Sequence, residues 1–573
     1  MRNVSTFGAF TTARLGIFAA QKGLEVTGNN MTNINTTGYT RQRLDQVSFV
    51  SGGTSYYATP MGTKVGNGVI TTGVSQLRDP FLDIAYRNAQ SNVGQEDTTL
   101  AWLDEVAAVL DEVGDGDDDN GVIYNQIQTV IDQLSQMITE GAGHDEYDTL
   151  VRTAAQGLTN LFNTYANDLE KVKERLEGSL DQDVKTVNEL LKNIQEYNEQ
   201  IRKADIRGDS ALELRDQRNL ALDQLSYYMK INVKYEMVDV GSGTMVENLV
   251  VTLDNDNTGH EHTLINGMYV TELSVDDNDY YNITLDALTD KDGRKIPVDP
   301  NDATAHTGVE LVEDDLIGSL QGSRDMLNGT GEFATQDDID QDPNMTTNRG
   351  IPYYQKSLDL LANQFAKIMN EANVIRDPNN NNIITGGGIL FDAGHGSNQW
   401  GGILGENGKD LTEITAANIS ISDAWSTGET KLLCSREDNP ASGATDNLTH
   451  ILAELTAKDH KFYVSALTDP RFNPANPPAG ETPIFTGSLQ DMFLNIGSVL
   501  GNDISSTTVV LTSYATTADG LYMDRDSVSG VDLNEEAANM MQYQKAYSAA
   551  CRLMTALDQA LDKLINGTGV VGL

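Results

Sequence analysis

A short acidic segment contains side chains of the kind that bind calcium. Asp115, Asp117 and Asp119 occupy positions one, three and five of a loop with the spacing of a calcium-binding hand. Asn120, however, stands at the sixth position, where the tight turn needs glycine, and Gln126 stands where a bidentate glutamate belongs. A solvated acidic loop is therefore the favoured interpretation of this segment.

Two other groups of residues could bind a metal or a phosphate. His260 and His262 alternate along a predicted strand, but no third ligand is near them in the sequence and no His-Glu-x-x-His helix is present. A surface hairpin is therefore favoured. The Gly386–Gly388 triplet lacks a following Gly-Lys-Ser/Thr and is typical of a flexible turn. Since no acid–base or nucleophile cluster is recognisable either, we predict a non-enzymatic protein with no catalytic residue, cofactor or metal.

The charge balance excludes two classes of partner. The 573 residues include 84 acidic and 39 basic side chains, which gives a net charge of −45. Such a surface repels nucleic acid and anionic membranes. No run of 18 apolar residues is present, so we expect no membrane insertion.

Apolar repeats near the two ends are the strongest pattern in the chain. At each end, small or apolar residues recur alternately three and four positions apart, which is the spacing of a coiled-coil seam. The C-terminal repeat lies within a helical pattern that runs from Leu533 to Ile565. The N-terminal seam consists of Phe10, Ala13, Ile17, Ala20, Leu24, Thr27, Met31 and Ile34, and the C-terminal seam consists of Met540, Tyr543, Tyr547, Ala550, Met554, Leu557, Leu561 and Leu564.

Both seams are narrow, because small or polar residues such as Ala13, Thr27 and Ala550 interrupt the apolar surface. So little apolar area cannot hold the helices firmly to a monomer core. We therefore expect the free monomer to be disordered to about residue 35 and from about residue 530, and to fold there when neighbouring subunits cover the seams. The alternative is that both helices pack inside an ordinary globular core.

The residues that follow the N-terminal seam form a recognisable motif. Asparagine and threonine compete with the helix backbone, and Gly38 can supply a left-handed turn, so the helix is expected to end here. The segment 29–42 resembles the signature of bacterial flagellar axial proteins, the rod, hook and hook-associated family, although Met31-Thr32 replaces the usual Ile-Ala. The motif residues are Asn29, Asn30, Asn33, Thr36, Gly38, Tyr39 and Arg41.

Further segments narrow the resemblance to the FlgK family of the hook–filament junction. As an ordered set they make the resemblance specific, and it covers residues 1–235, 350–375 and 485–573. The matching segments are Gly66-Asn67-Gly68-Val69, Arg78-Asp79-Pro80-Phe81-Leu82, the run from Leu214 to Asn219, the run from Leu358 to Ala362, and the run from Val531 to Ala538.

The resemblance implies a structural subunit that polymerises at the hook–filament junction and adapts hook to filament. It implies secretion through the flagellar type III apparatus to the flagellum, with a FlgN-type export chaperone in the cytoplasm. The implied partners in the flagellum are other copies in a helical polymer, the hook protein, and a second junction protein next to the filament. Two alternatives stay open: a hook or filament axial subunit, and a flagellar surface domain with an adhesive or enzymatic insert.

The pattern along the chain predicts an α+β multidomain protein with nested, discontinuous domains. Terminal coiled-coil helices, a discontinuous helical bundle and inserted β-rich domains are expected. Residues 98–229 have helical spacing with an interruption at Gly178-Ser179. The expected domains are a terminal polymerisation domain (1–60 and 525–573), a helical core (61–230, 351–375 and 485–524), an inserted β domain (231–350) and a second inserted surface domain (376–484).

Overall fold

The computed structural model of the chain confirms the α+β class, with long helices and several small antiparallel sheets. It describes residues 6–49, 68–110, 121–140, 143–241, 243–253, 262–276, 280–296, 309–311, 316–376, 383–386, 388–393, 414–437, 441–468, 477–478 and 480–567.

The helices in this part of the chain range from one turn to 63 residues. They are α1 Thr6–Thr32, α2 Pro80–Leu110, α3 Val122–Glu140, α4 Asp145–Arg207, α5 Leu212–Tyr228, α6 Ser319–Asn328, α7 Gln336–Gln341, α8 Ile351–Ala372, α9 Asp423–Thr427, α10 Asp446–Thr456, α11 Ser465–Thr468, α12 Leu489–Ser529 and α13 Leu533–Gly567, with short 3-10 turns at Gly331–Phe333 and Pro343–Thr346.

The strands are short and pair with near neighbours in the sequence. Sheets form in the orders β1-β2, β3-β4-β5-β6, β7-β8-β9, β10-β11, β12-β13 and β14-β15, and every pair is antiparallel. The strands are β1 Gln42–Ser48, β2 Val69–Gln76, β3 Ile231–Asp239, β4 Met245–Leu253, β5 His262–Asn266, β6 Tyr269–Val270, β7 Leu273–Val275, β8 Ile283–Leu285, β9 Val309–Leu311, β10 Val374–Arg376, β11 Ile383–Gly386, β12 Phe391–Asp392, β13 Ser420–Ile421, β14 His460–Phe462 and β15 Phe485–Gly487.

Helix α4 organises the centre of the molecule. Its apolar stripe is almost fully buried from Val151 to Ile201, and Gly208 ends the helix in a left-handed conformation with φ of 81°. The expected interruption at Gly178-Ser179 is wrong. Because Leu176 and Leu180 continue the buried stripe across it, packing outweighs the weak helix propensity of one exposed glycine.

Amide side chains on α4 hold the first β region against the helix. Asn188 pairs with the backbone of Leu273, and Asn198 donates to the carbonyl of Gly267 at 2.9 Å. The strands of this region end at Leu311. Residues 316–350 form α6, α7 and two 3-10 turns, with α6 packed against α2 and α4.

Asparagine side chains on and just after α8 likewise hold the second insert, residues 376–484, against the helix. Asn363, Asn370 and Asn373 donate to the carbonyls of Ile414, Phe391 and Gly388. Trp425 is buried in this region against Phe391, and its carbonyl accepts from Arg152 on α4 at 2.7 Å. A single hydrophobic cluster therefore continues from the helical body into both inserts.

Candidate assembly surface at the paired terminal helices

Helices α1 and α13 pack against each other along their length in an antiparallel pair. A Cβ atom added at Gly16 would lie 3.6 Å from the Cβ of Ala550, and one at Gly23 would lie 2.5 Å from the ring of Tyr543. These two contacts are seven residues apart on each helix and run in opposite directions. The two terminal repeats therefore meet within one chain.

The structure places the N-terminal seam only partly as expected. Ala13, Ala20 and Thr27 are buried, whereas four larger members are half-buried beside them: Phe10, Ile17, Leu24 and Met31. Ile34 lies beyond the end of α1 and is exposed, so its place in a helical seam is wrong. The asparagine-rich segment ends the helix two residues earlier, at Thr32.

Two glycines at the centre of the contact were not among the predicted seam residues. Gly16 and Gly23 alternate with Ala13, Ala20 and Thr27 at spacings of three and four, and this small-residue stripe lets the backbone of α1 approach α13. The spacing of the small residues could have indicated this stripe. The apolar residues Ile17 and Leu24, each one position after a glycine, were assigned to the predicted seam instead.

The C-terminal seam is half covered. Met540, Tyr543, Ala550, Met554, Leu557 and Leu561 are half-buried, whereas Tyr547 and Leu564 are 38% and 59% exposed. Glu536 is the one fully buried side chain among the described residues of α13. Pairing with α1 thus covers one side of this helix and leaves the rest of its surface open.

Large apolar side chains also remain exposed outside both seams. Phe18 on α1 and Met541, Leu553 and Ile565 on α13 are each between 45% and 63% exposed. Exposed large apolar side chains on a helix pair are candidates for a further contact with another protein. The pair therefore has an inner seam that is partly covered and further apolar side chains that are exposed outside it.

The motif residues build the turn between α1 and β1. Asn30 is buried, and its side-chain oxygen accepts from the backbone of Gln42 and from the Tyr39 hydroxyl, at 3.0 and 2.8 Å. Asn33 donates to Asn29, and Thr36 donates to Asn33. Burial raises the pKa of Tyr39 well above its usual range, which keeps its phenol protonated as the donor.

Two residues of the motif attach this turn to the helical body. Gly38 has φ of 78° and lies against Leu220 of α5, so it needs both the left-handed conformation and the missing side chain. The amide of Thr40 donates to Asp216 at 3.2 Å. Burial raises the pKa of Asp216 to about 6, although Arg78 lies 3.9 Å away.

Arg41 connects the motif to the start of α13. Its guanidinium bonds Glu535 at 2.8 Å and the buried Glu536 at 2.9 Å, and its amide donates to the carbonyl of Ser529 at 2.8 Å. The hydrogen bond from Arg41 lowers the pKa of Glu535. The motif is therefore the point at which the N-terminal helix, the C-terminal helix and the helical body are joined.

A charged and aromatic cluster continues from this junction into the body. Arg525 on α12 bonds Asp223 at 2.7 Å, and Arg87 on α2 bonds the other oxygen of the same carboxylate at 2.7 Å. The Arg525 guanidinium also lies 4.2 Å from the ring centroid of Tyr86 and 5.5 Å from that of Tyr522. A cavity of about 570 Å³ opens beside this cluster.

The metal and phosphate candidates gain no support. The acidic segment 115–120 and His260 lie outside the described residues, and His262 is buried within β5. Gly388 has φ of 106° and packs against Thr430, while Gly387 is not described. In the described ranges no group of three metal-ligating side chains converges, and no helix there is long and apolar enough to cross a bilayer.

Two family models match the chain. The model of the helical domain of the flagellar hook-associated protein FlgK matches residues 110–375, and the model of the C-terminal region of flagellar basal body rod FlgEFG proteins matches residues 525–567. The second match falls on α13, and the first covers α3 to α8.

Curated relatives align over nearly their whole length. Flagellar hook-associated protein 1 of Bacillus subtilis (strain 168) is 27% identical over 588 residues, covering 99% of both chains. The proteins of that name from Salmonella typhimurium (strain LT2) and Escherichia coli (strain K12) are each 21% identical, covering 97% of this chain and 98% of theirs. A solved structure of the flagellar hook junction protein FlgK from Burkholderia pseudomallei aligns with a TM-score of 0.47 and 12% identity, over 77% of this chain and 100% of that one.

Proposed function

We propose that the chain belongs to the FlgK family of flagellar hook-associated proteins and that it is a non-enzymatic structural subunit of the bacterial flagellum that polymerises at the hook–filament junction. The observation that carries this proposal is the terminal helix pair, whose seam is only partly covered within one chain and which exposes further large apolar side chains. Such a surface is suited to burial between neighbouring subunits.

The mechanism is folding coupled to assembly. The stripe on α1 that contacts α13 consists of glycine, alanine and threonine, and the larger seam side chains are only half-buried, so the pair is weak in the free subunit. Contacts with neighbours cover the half-buried side chains of the C-terminal seam, such as Leu557 and Leu561, and stabilise both helices together. Arg41 transmits this ordering to the helical body through Glu536 and Ser529.

We propose that the chain is divided into a polymerisation domain, a helical core and two inserts. Residues 1–60 and 525–573 form the polymerisation domain, and residues 61–230, 351–375 and 485–524 form a helical core around it. The segments 231–350 and 376–484 are inserts that face solvent, the former with its strands before Leu311. The net charge of −45 keeps such an outward surface soluble.

The proposed partners are further copies in a helical polymer, the hook protein on one side and a second junction protein on the filament side. We further propose that the chain is exported through the flagellar type III apparatus and that a FlgN-type chaperone binds it before export. The chaperone would cover the apolar face of α13 before assembly, as an amphipathic helix in a groove.

A deletion strain tests the function. Cells without this chain should make hooks that lack filaments, and plasmid expression of the chain should restore filaments in electron micrographs. Filaments that form normally without it would contradict a junction role and would favour the alternative of a surface ornament.

The chaperone contact has its own test. A peptide spanning residues 533–565 should bind the chaperone with a Kd of about 1 μM or tighter and should gain helicity on binding, measured by titration calorimetry and circular dichroism. If the chain without residues 533–573 binds the chaperone as tightly as the intact chain, the proposed binding site is wrong.

A further inference from the structure

Phe81 is the most exposed large apolar side chain in the described part of the molecule, with 82% of its surface open to solvent. It stands at the start of α2, one residue after Pro80. The carboxylate of Asp79 accepts from the Phe81 amide at 2.9 Å, and the carbonyl of Asp79 accepts from the amide of Asp83. The backbone that carries this ring is therefore fixed before any partner binds.

The cavity beside Arg525 has the chemistry to receive an aromatic ring. Its volume is about 570 Å³, and its walls include five tyrosines, namely Tyr39, Tyr86, Tyr227, Tyr228 and Tyr522. Arg525 already lies over two of these rings. A further ring entering the cavity would gain edge-to-face contacts with the tyrosines and a cation–π contact with the guanidinium.

Phe81 cannot fill the cavity of its own chain. Tyr86 lines the cavity and follows Phe81 by five residues on the same helix. That spacing turns a side chain by roughly 140° around the helix axis and moves it about 7.5 Å along the axis. Phe81 and the Tyr86 side of the cavity therefore point in different directions from α2.

We propose that Phe81 of one subunit inserts into the tyrosine-lined cavity of a second copy of this chain. A knob and a hole on different faces make a heterologous contact, which repeats from copy to copy and generates a ring or a helical array. The inference rests on the proposed self-assembly and adds a contact in the helical core to those of the terminal helices.

Cysteine crosslinking in isolated flagella tests the contact. Both native cysteines, Cys434 and Cys551, are replaced by alanine. One chain then carries Phe81→Cys and a second, differently tagged chain carries Gln224→Cys at the exposed wall of the cavity. The two chains are expressed together in the deletion strain, and a short bismaleimide should join them into a mixed dimer.

The matched control replaces Val509 by cysteine. Val509 on α12 is 67% exposed, and it lies 13 residues from Tyr522, which is about 20 Å along the helix. Val509→Cys paired with Gln224→Cys should give no mixed dimer. Neither pair should crosslink in the dilute monomer.

The outcomes separate the inference from the proposed function. Incorporation of the chain into flagella without an 81–224 crosslink would overturn the inference and leave the junction role intact, as would a crosslink from position 81 to a different protein. Absence of every variant, including the cysteine-free parent, from isolated flagella would overturn both.

Substitution of the ring provides an independent readout. Phe81→Ala should reduce the amount of the chain retained on isolated flagella by ~10-fold, which is typical of the loss of an aromatic anchor. Phe81→Tyr should restore retention, and Val509→Ala should leave it unchanged. Full retention of the Phe81→Ala chain would contradict the proposed contact. The thermal midpoint of the purified monomer should be the same for all three variants because both side chains are exposed.

Discussion

Helices α4 and α13 have the same apolar spacing but bury it to different degrees. On α4 the stripe from Val151 to Ile201 is almost fully excluded from solvent by α3, α5 and the first β region. On α13 the corresponding stripe is half-buried, and only Glu536 is fully enclosed within its described residues. A heptad pattern therefore predicts that a seam exists but does not predict whether one chain can complete it.

The largest difference between the two regions should appear when a charge is placed in each stripe. Leu191→Asp on α4 puts a carboxylate at a fully buried position, which should lower the free energy of unfolding by about 4 kcal/mol or more. Leu557→Asp on α13 alters a half-buried position and should leave the thermal midpoint of the monomer unchanged. Motility should nevertheless fail, because neighbours would have to bury the charge.

Thermal unfolding and swarming assays of the two variants check this contrast. A loss of monomer stability in Leu557→Asp as large as that in Leu191→Asp would show that α13 belongs to the core. Normal swarming of Leu557→Asp would show instead that this face of α13 is not buried in the polymer.

Substitution of the glycines of α1 should have a smaller effect on stability than a charge in the stripe of α4. Gly23→Ala places a methyl group 2.5 Å from the ring of Tyr543, which should weaken the helix pair by about 1–3 kcal/mol. Gly28→Ala meets nothing within 4 Å and should stabilise α1 by about 0.5–1 kcal/mol through helix propensity.

Amide exchange in α1 should be faster in Gly23→Ala than in the parent chain and slower in Gly28→Ala. Equal exchange in the two variants would mean that the close approach of α1 to α13 does not determine the stability of the pair.

The junction between the two regions should respond to pH. The pKa of Asp216 is about 6, above the value near 3.9 expected in the unfolded chain, so the folded state binds more protons between these values. Its stabilising contribution is complete below about pH 4 and is lost as the pH rises through 6. Asp216→Asn should remove this loss, which we expect to be about 3 kcal/mol because the pKa of the carboxyl falls from about 6 to about 3.9 on unfolding.

Denaturant unfolding of both chains at pH 4 and pH 7 measures the change. The buried Asp359 also has a pKa near 6, and it contributes equally to both chains. A difference between variant and parent that stays constant with pH would contradict the assignment to Asp216.

The faces of the long helices were predictable from the sequence, because the position of a side chain around a helix depends only on its spacing. The half-buried positions of α13, such as Met540 and Leu557, follow this rule. The α1 seam was misplaced because Ile17 and Leu24 have the expected hydrophobicity, whereas the contact is made by Gly16 and Gly23, whose role is close approach.

The contacts that join the motif to α13 and to the helical body could not be predicted from the spacing of nearby residues. Arg41 and Glu536 are 495 residues apart, and Thr40 and Asp216 are 176 residues apart, so only the folded chain brings them together. The resemblance marked the motif as important without indicating what its residues contact. The contacts of Asn363 and Asn370 on α8 were likewise not predictable from the sequence. Their partners are backbone carbonyls in the second insert, 51 and 21 residues further along the chain.

Amide hydrogen exchange, measured on the free monomer and on assembled flagella, tests whether α13 folds only when the subunits assemble. We expect α13 to exchange rapidly in the monomer while α4 is strongly protected, and α13 to become protected on assembly. Protection of α13 in the monomer equal to that of α4, with no change on assembly, would contradict folding coupled to assembly.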